Sequence, residues 1–169
     1  MDYLKKVLGF IRNEKKPKQD ICYLEKAFKF IRNAENADFE GEKSEELVKK
    51  AEDFLGLEFP QEYRKFLREF GCGDVNGVEI FGIINDKFET NGVPDAIALT
   101  ARERNEHSLA KTVILIGDSD EYYYALDLAR KHDGNVPVID LRPQAKPEDC
   151  EVLWDSFGEF LCAQFDIAW

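Results

Sequence analysis

The chain has 169 residues, 44% of them hydrophobic and 13 of them Phe, which is enough for one well-buried core and argues against disorder as its main state. The net charge of −11 is uneven, because residues 1–33 carry nine Lys/Arg against four Asp/Glu (+5), which leaves −16 for residues 34–169. This acidic excess disfavours binding to nucleic acid or membrane phosphates and favours a basic protein partner, although it equally serves to keep a protein in solution.

Two similar segments open the chain. Residues 3–13 (YLKKVLGFIRN) and 23–33 (YLEKAFKFIRN) share Tyr, Leu, Lys, Phe, Ile, Arg and Asn in register, twenty positions apart. Each is amphipathic at helical spacing, and Pro17 lies between them. We therefore predict a helical pair in an N-terminal addition, residues 1–43, that precedes one compact domain, residues 44–169. The pair serves either as structural cover for a sheet or as an arm that binds a partner.

The stretch 51–83 is the most informative. Apolar residues at helical spacing predict a first helix, which ends at Gly56. These residues are Leu47, Val48, Ala51, Phe54 and Leu55. A second helix opens at Pro60 and ends at Gly71, and its buried stripe is Tyr63, Phe66, Leu67 and Phe70. The glycines of residues 72–77 predict a turn, after which a strand begins at Val78.

The remaining elements follow from caps and β-branched runs. A capping box at Thr100 and Glu103 predicts a short helix over 101–109, and a second box at Ser156 and Glu159 opens the last helix. Residues 112–116 and 122–126 read as a strand pair, and residues 135–140 read as a further strand after an Asp133-Gly134 turn. The expected fold is α+β, with a curved, mainly antiparallel sheet of about five or six strands, flanking helices and the N-terminal helical pair.

A series of short motifs runs through most of the chain. In order they are Ala51-Glu52, Leu55-Gly56, Phe59-Pro60, Tyr63, Phe66-Leu67, a glycine pair, and a strand that ends Phe81-Gly82-Ile83. With the later strands and last helix, this order resembles the SUKH superfamily over roughly residues 44–161. That superfamily contains fungal cell-wall-synthesis regulators and bacterial immunity proteins of polymorphic toxin systems. The chain departs from it at Gly71-Cys72-Gly73, where Asn-Gly-Gly is usual, and at Glu121, where the family's hairpin has glycine.

The residues of catalysis and metal binding do not fall into a recognisable pattern. The four serines lack a nucleophile-elbow motif, and His107 and His132 lack a ligand at helical spacing. Cys22, Cys72, Cys150 and Cys162 are scattered without C-x-x-C spacing, which favours buried or idle thiols. No apolar run approaches the roughly 20 residues needed to span a bilayer, and residues 7–11 are too short for a secretion signal. We expect a cytoplasmic, non-catalytic protein without a cofactor.

Acidic and aromatic residues in the second half of the chain are the candidates for a partner-binding surface. They are Asp118, Asp120, Glu121, Glu148, Asp149, Glu151, Asp155, Tyr122 and Trp154. Carboxylates attract a basic partner and large aromatic side chains anchor interfaces. The acids of residues 118–121 fit a solvated turn better than a site for Ca²⁺ or Mg²⁺, because they lack the loop length and distal glutamate of an EF-hand. Asp155 fits the start of the last helix, and alternate tyrosines must face the core.

The resemblance implies a non-catalytic immunity protein that binds a cognate toxin domain and masks its active site. An acidic patch would mimic a phosphate backbone if that toxin were a nuclease with a basic cleft. The alternatives are a regulatory scaffold with several partners, like the fungal relatives, and a metal-dependent enzyme that uses the acidic turn. The sequence specifies neither the partner nor the oligomeric state.

Overall fold

The computed structural model describes residues 22–168, and across them the predicted α+β class is confirmed. The helices are α1 (Tyr23–Asn33), α2 (Glu45–Leu55), α3 (Gln61–Phe70), α4 (Ala96–His107) and α5 (Phe157–Gln164). The strands are β1 (Ala37–Phe39), β2 (Gly73–Val75), β3 (Val78–Ile80), β4 (Val113–Asp118), β5 (Tyr123–Asp127), β6 (Val138–Leu141) and β7 (Val152–Trp154). Short 3-10 helices lie at Leu128–Arg130 and Pro147–Asp149.

Two antiparallel sheets replace the single sheet of five or six strands that the sequence predicted. The first has the order β1-β2-β3 and the second the order β4-β5-β6-β7. The amide of Phe81, just after β3, donates to the Ile116 carbonyl of β4 (2.9 Å) and brings the two sheets together. The next amide, that of Gly82, instead donates to the Pro94 carbonyl (3.0 Å), so the ladder between the sheets stops there.

The predicted turn over residues 72–77 is shorter than expected, because Gly73–Val75 is strand β2. The turn itself is Asn76 and Gly77, whose φ angles of 52° and 80° match the tight hairpin turns that need positive φ. Gly73 permits the close approach of β1, since a Cβ there would lie 2.1 Å from the Asp38 carbonyl oxygen. β1 lies within residues 1–43, the predicted N-terminal addition, so that segment contributes a strand to the first sheet.

Helix α2 ends at Gly56 as predicted, with φ 65° in the left-handed region. Its buried stripe, however, excludes Phe54, which is 42% exposed, and includes Glu52, which is 4% exposed. Glu52 accepts a hydrogen bond from the Phe59 amide (2.8 Å) and pairs with Arg64, so the turn into α3 holds this carboxylate inside. Phe54 lies at the surface against the ring of Phe88, with centroids 5.3 Å apart.

Helix α3 buries the predicted stripe of Tyr63, Phe66, Leu67 and Phe70. The Tyr63 hydroxyl donates to the Phe81 carbonyl (3.0 Å), which satisfies a phenol that is otherwise completely buried. The rings of Tyr63 and Phe66 both make edge contacts with Phe157 of α5. The helix therefore connects the first sheet to the C-terminal helix within one core.

The start of α4 was predicted wrongly. The helix begins at Ala96, and its cap is Asp95, which accepts hydrogen bonds from the amides of Ile97 (3.0 Å) and Ala98 (2.8 Å). Thr100, the predicted cap, is buried inside the helix and accepts a hydrogen bond from the Leu115 amide of β4 (3.1 Å). The capping-box spacing there reflects a contact between helix and sheet.

The later strands lie close to their predicted positions. The Asp133-Gly134 turn is present, with φ angles of 48° and 84°, but β6 begins at Val138 and not at residue 135. Asn135 pairs with His132 across the turn, and Pro137 has no amide to donate, which delays the sheet. Ser156 caps α5 as predicted by accepting from the Glu159 amide (3.2 Å).

Helix α1 confirms the second of the two repeated segments as a helix, whereas residues 3–13 lie outside the described residues, so the predicted helical pair is not established. Leu24, Ala27, Phe28 and Ile31 are buried in the common core. α1 packs closely on α5, since a Cβ at Gly158 would lie 2.7 Å from the Leu24 amide nitrogen. The division of the chain after Lys43 stays a prediction.

Candidate functional site

A row of aromatic rings crosses one face of the second sheet. Tyr122 and Tyr124 are in edge contact at 5.4 Å, and Tyr124 meets Trp154 of β7 at 5.7 Å. Phe160 of α5 lies under both, 5.3 Å from Tyr124 and 5.5 Å from Trp154. Tyr122, Tyr124 and Trp154 are all partly exposed, whereas Phe160 is buried. This row, Tyr122-Tyr124-Trp154, is called the aromatic row below.

The sequence around β4 and β5 explains the row. Residues two apart on a strand share a face, which puts Tyr122 and Tyr124 on one side. Gly117 is the partner of Tyr124 across the ladder, after a bulge that follows Leu115. A Cβ at Gly117 would lie 3.3 Å from the Tyr124 ring and 3.7 Å from Phe160, so the glycine leaves room for both rings.

Burial and the neighbouring phenol raise the pKa of Tyr122 to about 12. The largest cause is the loss of water around the ring, followed by the proximity of Tyr124 and its hydrogen bond, and then the charge of Asp140. Tyr122 therefore presents a neutral hydroxyl group at physiological pH. Amphipathic rings of this kind contribute large apolar contact area together with hydrogen-bonding capacity.

The first acidic group lies in the turn between β4 and β5. Asp118, Asp120 and Glu121 are exposed at this turn. Ser119 holds its shape, because its hydroxyl oxygen accepts from the amides of Glu121 and Tyr122, both at 3.3 Å. The three carboxylates are thus not needed to form the turn and are available to a partner. Tyr122 follows directly, so the acidic turn continues into the aromatic row.

The second predicted acidic group is not one cluster. Glu151 lies beside β6, where its amide donates to Asp140 Oδ1 (2.7 Å), and Asp140 pairs across the ladder with Tyr124. Asp155 follows the other end of β7, and its amide donates to the Glu159 carboxylate (3.1 Å). Glu148 and Asp149 are exposed on the 3-10 helix Pro147–Asp149. Glu151 and Asp155 therefore flank β7, whose last residue, Trp154, belongs to the aromatic row.

Two ion pairs that the sequence reasoning missed, each between a buried carboxylate and a more exposed arginine, hold this region in place. Asp140 Oδ2 accepts from Arg142 (2.9 Å), and Asp127 Oδ2 accepts from Arg130 Nε (2.6 Å). Arg130 also donates to the carbonyls of Pro147 (2.6 Å) and Cys150 (3.2 Å). Both carboxylates are almost completely buried. The signal available in the sequence was an aspartate followed two or three residues later by an arginine.

The titratable residues do not assemble a metal centre in the part of the chain that is described. Among residues 22–168, no three His, Cys, Asp or Glu side chains form a group that would hold a metal ion. His107 and His132 are exposed, each beside a neighbouring carboxylate, at 2.9 Å from Glu103 and 3.0 Å from Asp133. Cys72, Cys150 and Cys162 are buried and Cys22 is exposed, all as free thiols.

Apart from the aromatic row, a concave surface lies between α1, α2 and α3 and encloses about 600 Å³. It is lined by alternating charges, and its arginines already have partners. Arg64 and Arg68 both bind Glu45, and Arg64 also binds the buried Glu52. These interactions join α2 to α3, so both arginines of the cleft are engaged in ion pairs.

A comparison with protein families identifies the chain. The family model SUKH_5, described as SMI1-KNR4 cell-wall, matches residues 24–166, which is most of the sequence. The chain belongs to the SUKH superfamily. The match begins inside α1 and ends after α5, so it includes both sheets, the acidic turn and the aromatic row. Superfamily membership fits a protein-binding role, as an immunity protein or as a regulator. Within residues 22–168, no helix is long and apolar enough to cross a bilayer.

Proposed function

We propose that this SUKH protein is a non-catalytic immunity protein of the cytoplasm that binds a cognate toxin domain and neutralises it by covering the toxin's active site. The observation that carries the proposal is the family match over residues 24–166. The surface that best suits the role joins the acidic turn, Asp118, Asp120 and Glu121, to the aromatic row.

The division of roles within this surface follows from its chemistry. Exposed carboxylates attract a basic partner over long range and raise the rate of encounter. Aromatic rings at the centre of an interface supply most of the binding energy once water is excluded. An interface of about 800 Å² on each partner is of standard size for a stable complex. A nuclease toxin with a basic cleft fits the acidic turn, because carboxylates placed there occupy the position of phosphates.

The rigid frame behind the surface supports masking as the mechanism. The ion pairs of the buried Asp140 and Asp127 with Arg142 and Arg130, together with the packing of Phe160, fix the strands that carry the tyrosines. A preformed surface loses little conformational entropy on binding, which favours tight association. Neutralisation then requires no chemical step, only a long-lived complex.

The test is co-expression with the toxin encoded by the adjacent gene. We expect cells to survive only when both proteins are produced, and the purified proteins to co-elute as one complex in gel filtration. An absence of both protection and complex formation, with both proteins folded by circular dichroism, contradicts the proposal. Inspection of the neighbouring gene is the quickest preliminary observation.

A regulatory scaffold is the second candidate, and the description of the matching family as SMI1-KNR4 cell-wall favours it. Such a scaffold binds several cellular partners and neutralises none. Affinity purification from the native host separates the two functions: several unrelated partners and no toxin gene nearby support the scaffold, whereas one toxin partner supports immunity.

A metal-dependent enzyme that uses the acidic turn is the least supported function. The Ser119 hydroxyl oxygen bridges the backbone of that turn by accepting from two of its amides. Calorimetric titration with Ca²⁺ and Mg²⁺ tests this function. Heat of binding together with a raised melting temperature would support it.

A further inference from the structure

A groove beside the C-terminal half of α1 is open and partly apolar. Phe30 is 37% exposed there and stacks on Phe165 after α5, with ring centroids 5.6 Å apart and planes 22° apart. Ala34, Ile167 and Ala168 complete the apolar lining, and the groove encloses about 680 Å³. The other lining residues are polar or charged: Lys26, Lys29, Asn33, Glu35, Asn36 and Asn76. Phe30 lies outside the buried stripe of α1, so its exposed ring is not explained by the packing of the described residues.

The sequence supplies an occupant. Residues 3–13 repeat the α1 sequence, and the positions of its four buried residues are held by Leu4, Val7, Leu8 and Ile11. A helix formed by this segment would have one apolar face, with Lys5, Lys6 and Arg12 directed away from it. In α1 the equivalent face is completely covered, and an uncovered copy would expose four large apolar side chains to water.

The first copy does not fit the position that α1 occupies. Phe28 of α1 makes an edge contact with Phe70 at 4.9 Å, which Leu8 cannot reproduce. Gly9, at the position of Lys29, costs about 1 kcal/mol in a helix interior relative to alanine. α1 therefore retains its own place, and the first copy needs a neighbouring one.

Chain length allows the first copy to reach the groove. Nine residues, 14–22, connect it to α1, and when extended they span about 30–32 Å. The eleven residues of α1 measure about 16 Å along the axis. A helix over 3–13 that runs antiparallel to α1 thus lies beside its whole length.

Net charge draws the first copy toward the domain as a whole, whereas contact within the groove is apolar, because Lys26 and Lys29 line the groove with only one acid, Glu35. Residues 1–21 carry six Lys/Arg and three Asp/Glu, a net +3, whereas residues 22–169 carry 17 Lys/Arg and 31 Asp/Glu, a net −14. A basic segment tethered to an acidic domain is drawn toward it. We propose that residues 3–13 dock as an amphipathic helix in the groove beside α1, antiparallel to it, and cover Phe30 and Ile167.

Trypsin cleavage after Arg12 in the full-length protein, followed by mass spectrometry, tests this docking. Leu8→Gln removes a side chain from the apolar face, and Ile167→Gln changes the groove without altering α1. We expect each to accelerate cleavage after Arg12 at least about tenfold, because cleavage follows the population of the undocked segment. The double variant should be no faster than either single one.

Two control variants introduce the same residue, glutamine, at positions outside the proposed contact between the first copy and the groove. Lys6→Gln lies on the polar face of the first copy, and Glu25→Gln lies on an exposed position of α1 outside the groove; both should leave the cleavage rate unchanged. Equal cleavage rates in all variants overturn the proposal. Protection from cleavage that depends on Leu8 but not on Ile167 also overturns the proposal. If protection is lost on dilution, together with a dimer seen by gel filtration, the occupant of the groove is a second copy of the chain and the proposal is again overturned.

Discussion

Glu52 is the residue whose surroundings in the structure differ most clearly from those that the sequence pattern predicts. It sits among polar positions of an amphipathic helix, yet it is buried and accepts a hydrogen bond from the Phe59 amide while it pairs with Arg64. Helical periodicity predicted that Phe54 would be buried, because the pattern considers only apolar residues. It does not take into account that the Phe59 amide needs a hydrogen-bond acceptor, which Glu52 provides. The Ala51-Glu52 motif was recognised, but only as part of a resemblance.

Replacing Glu52 therefore has a defined cost. We expect Glu52→Ala to lower the free energy of unfolding by about 2–4 kcal/mol, because a buried amide and a partly buried guanidinium lose their acceptor. Denaturant unfolding measures this. The matched control is Glu46→Ala on the same helix, whose side chain is 81% exposed and pairs only with Lys50, and it should change stability by less than about 1 kcal/mol. Similar losses in both variants would contradict the role given to Glu52.

The thiols give a second prediction at the scale of residues. Cys72 is completely buried, and burial, with the charges of Glu40 and Asp95, raises its thiol pKa to about 12. We expect one thiol per native chain, Cys22, to react rapidly with a colorimetric disulfide reagent at pH 8, and all four to react in denaturant. Cys22→Ser should abolish the rapid phase, and a second rapid thiol would contradict the buried placement of Cys72.

The raised pKa of Cys72 makes the free energy of unfolding depend on pH. The folded-state pKa of Cys72 lies above its ordinary value of 9.0, so the unfolded chain releases this proton at lower pH than the folded chain does. The contribution of this group to stability is present below about pH 9 and is lost between about pH 9 and 12. In Cys72→Ala, the fall in stability over this interval should be smaller.

Elements were predicted well where the local signal was backbone geometry. Gly56 and Gly71 end α2 and α3, and Ser156 opens α5, because left-handed φ and hydroxyl caps are decided within a few residues. The start of α4 was missed because the position of Asp95 also depends on residues outside the helix. Its second carboxylate oxygen accepts hydrogen bonds from the Ile84 amide (3.1 Å) and from the Asn91 side chain (2.9 Å). The second sheet was missed for a similar reason, since strand partners separated along the chain are not encoded in either strand alone.

Gly82 tests the junction between elements. A Cβ at this position would lie 1.8 Å from the Gly71 carbonyl oxygen, where the end of α3 meets the exit from β3. We expect Gly82→Ala to destabilise the protein by about 1–3 kcal/mol or more, as for other overpacked backbone contacts. Gly92→Ala is the matched control, because a Cβ there meets no atom within 4 Å, and it should leave the melting temperature nearly unchanged. An equal effect of the two substitutions would contradict the close approach.

At the scale of the whole molecule, the aromatic and acidic side chains were predicted as a set, and the structure sorts them. Tyr122 and Trp154 are connected through Tyr124, the acids of residues 118–121 lie in the turn before Tyr122, and Asp155 directly follows Trp154. Glu148 and Asp149 lie instead on the 3-10 helix Pro147–Asp149. Register across β5, β6 and β7 decides this sorting, and the sequence did not contain it. Their role in binding a partner stays a prediction.

The affinity of charge-reversed variants for the toxin encoded beside this gene tests the account most directly. Asp118→Lys with Glu121→Lys changes the acidic turn, and Glu46→Lys with Asp53→Lys is the matched control on exposed positions of α2. We predict that the turn variant weakens binding at least about tenfold at low salt, with a smaller loss at high salt, and abolishes protection in co-expression. The control variant should bind and protect like the native protein. Equal affinities for the native protein and the turn variant would contradict the placement of the partner on this surface.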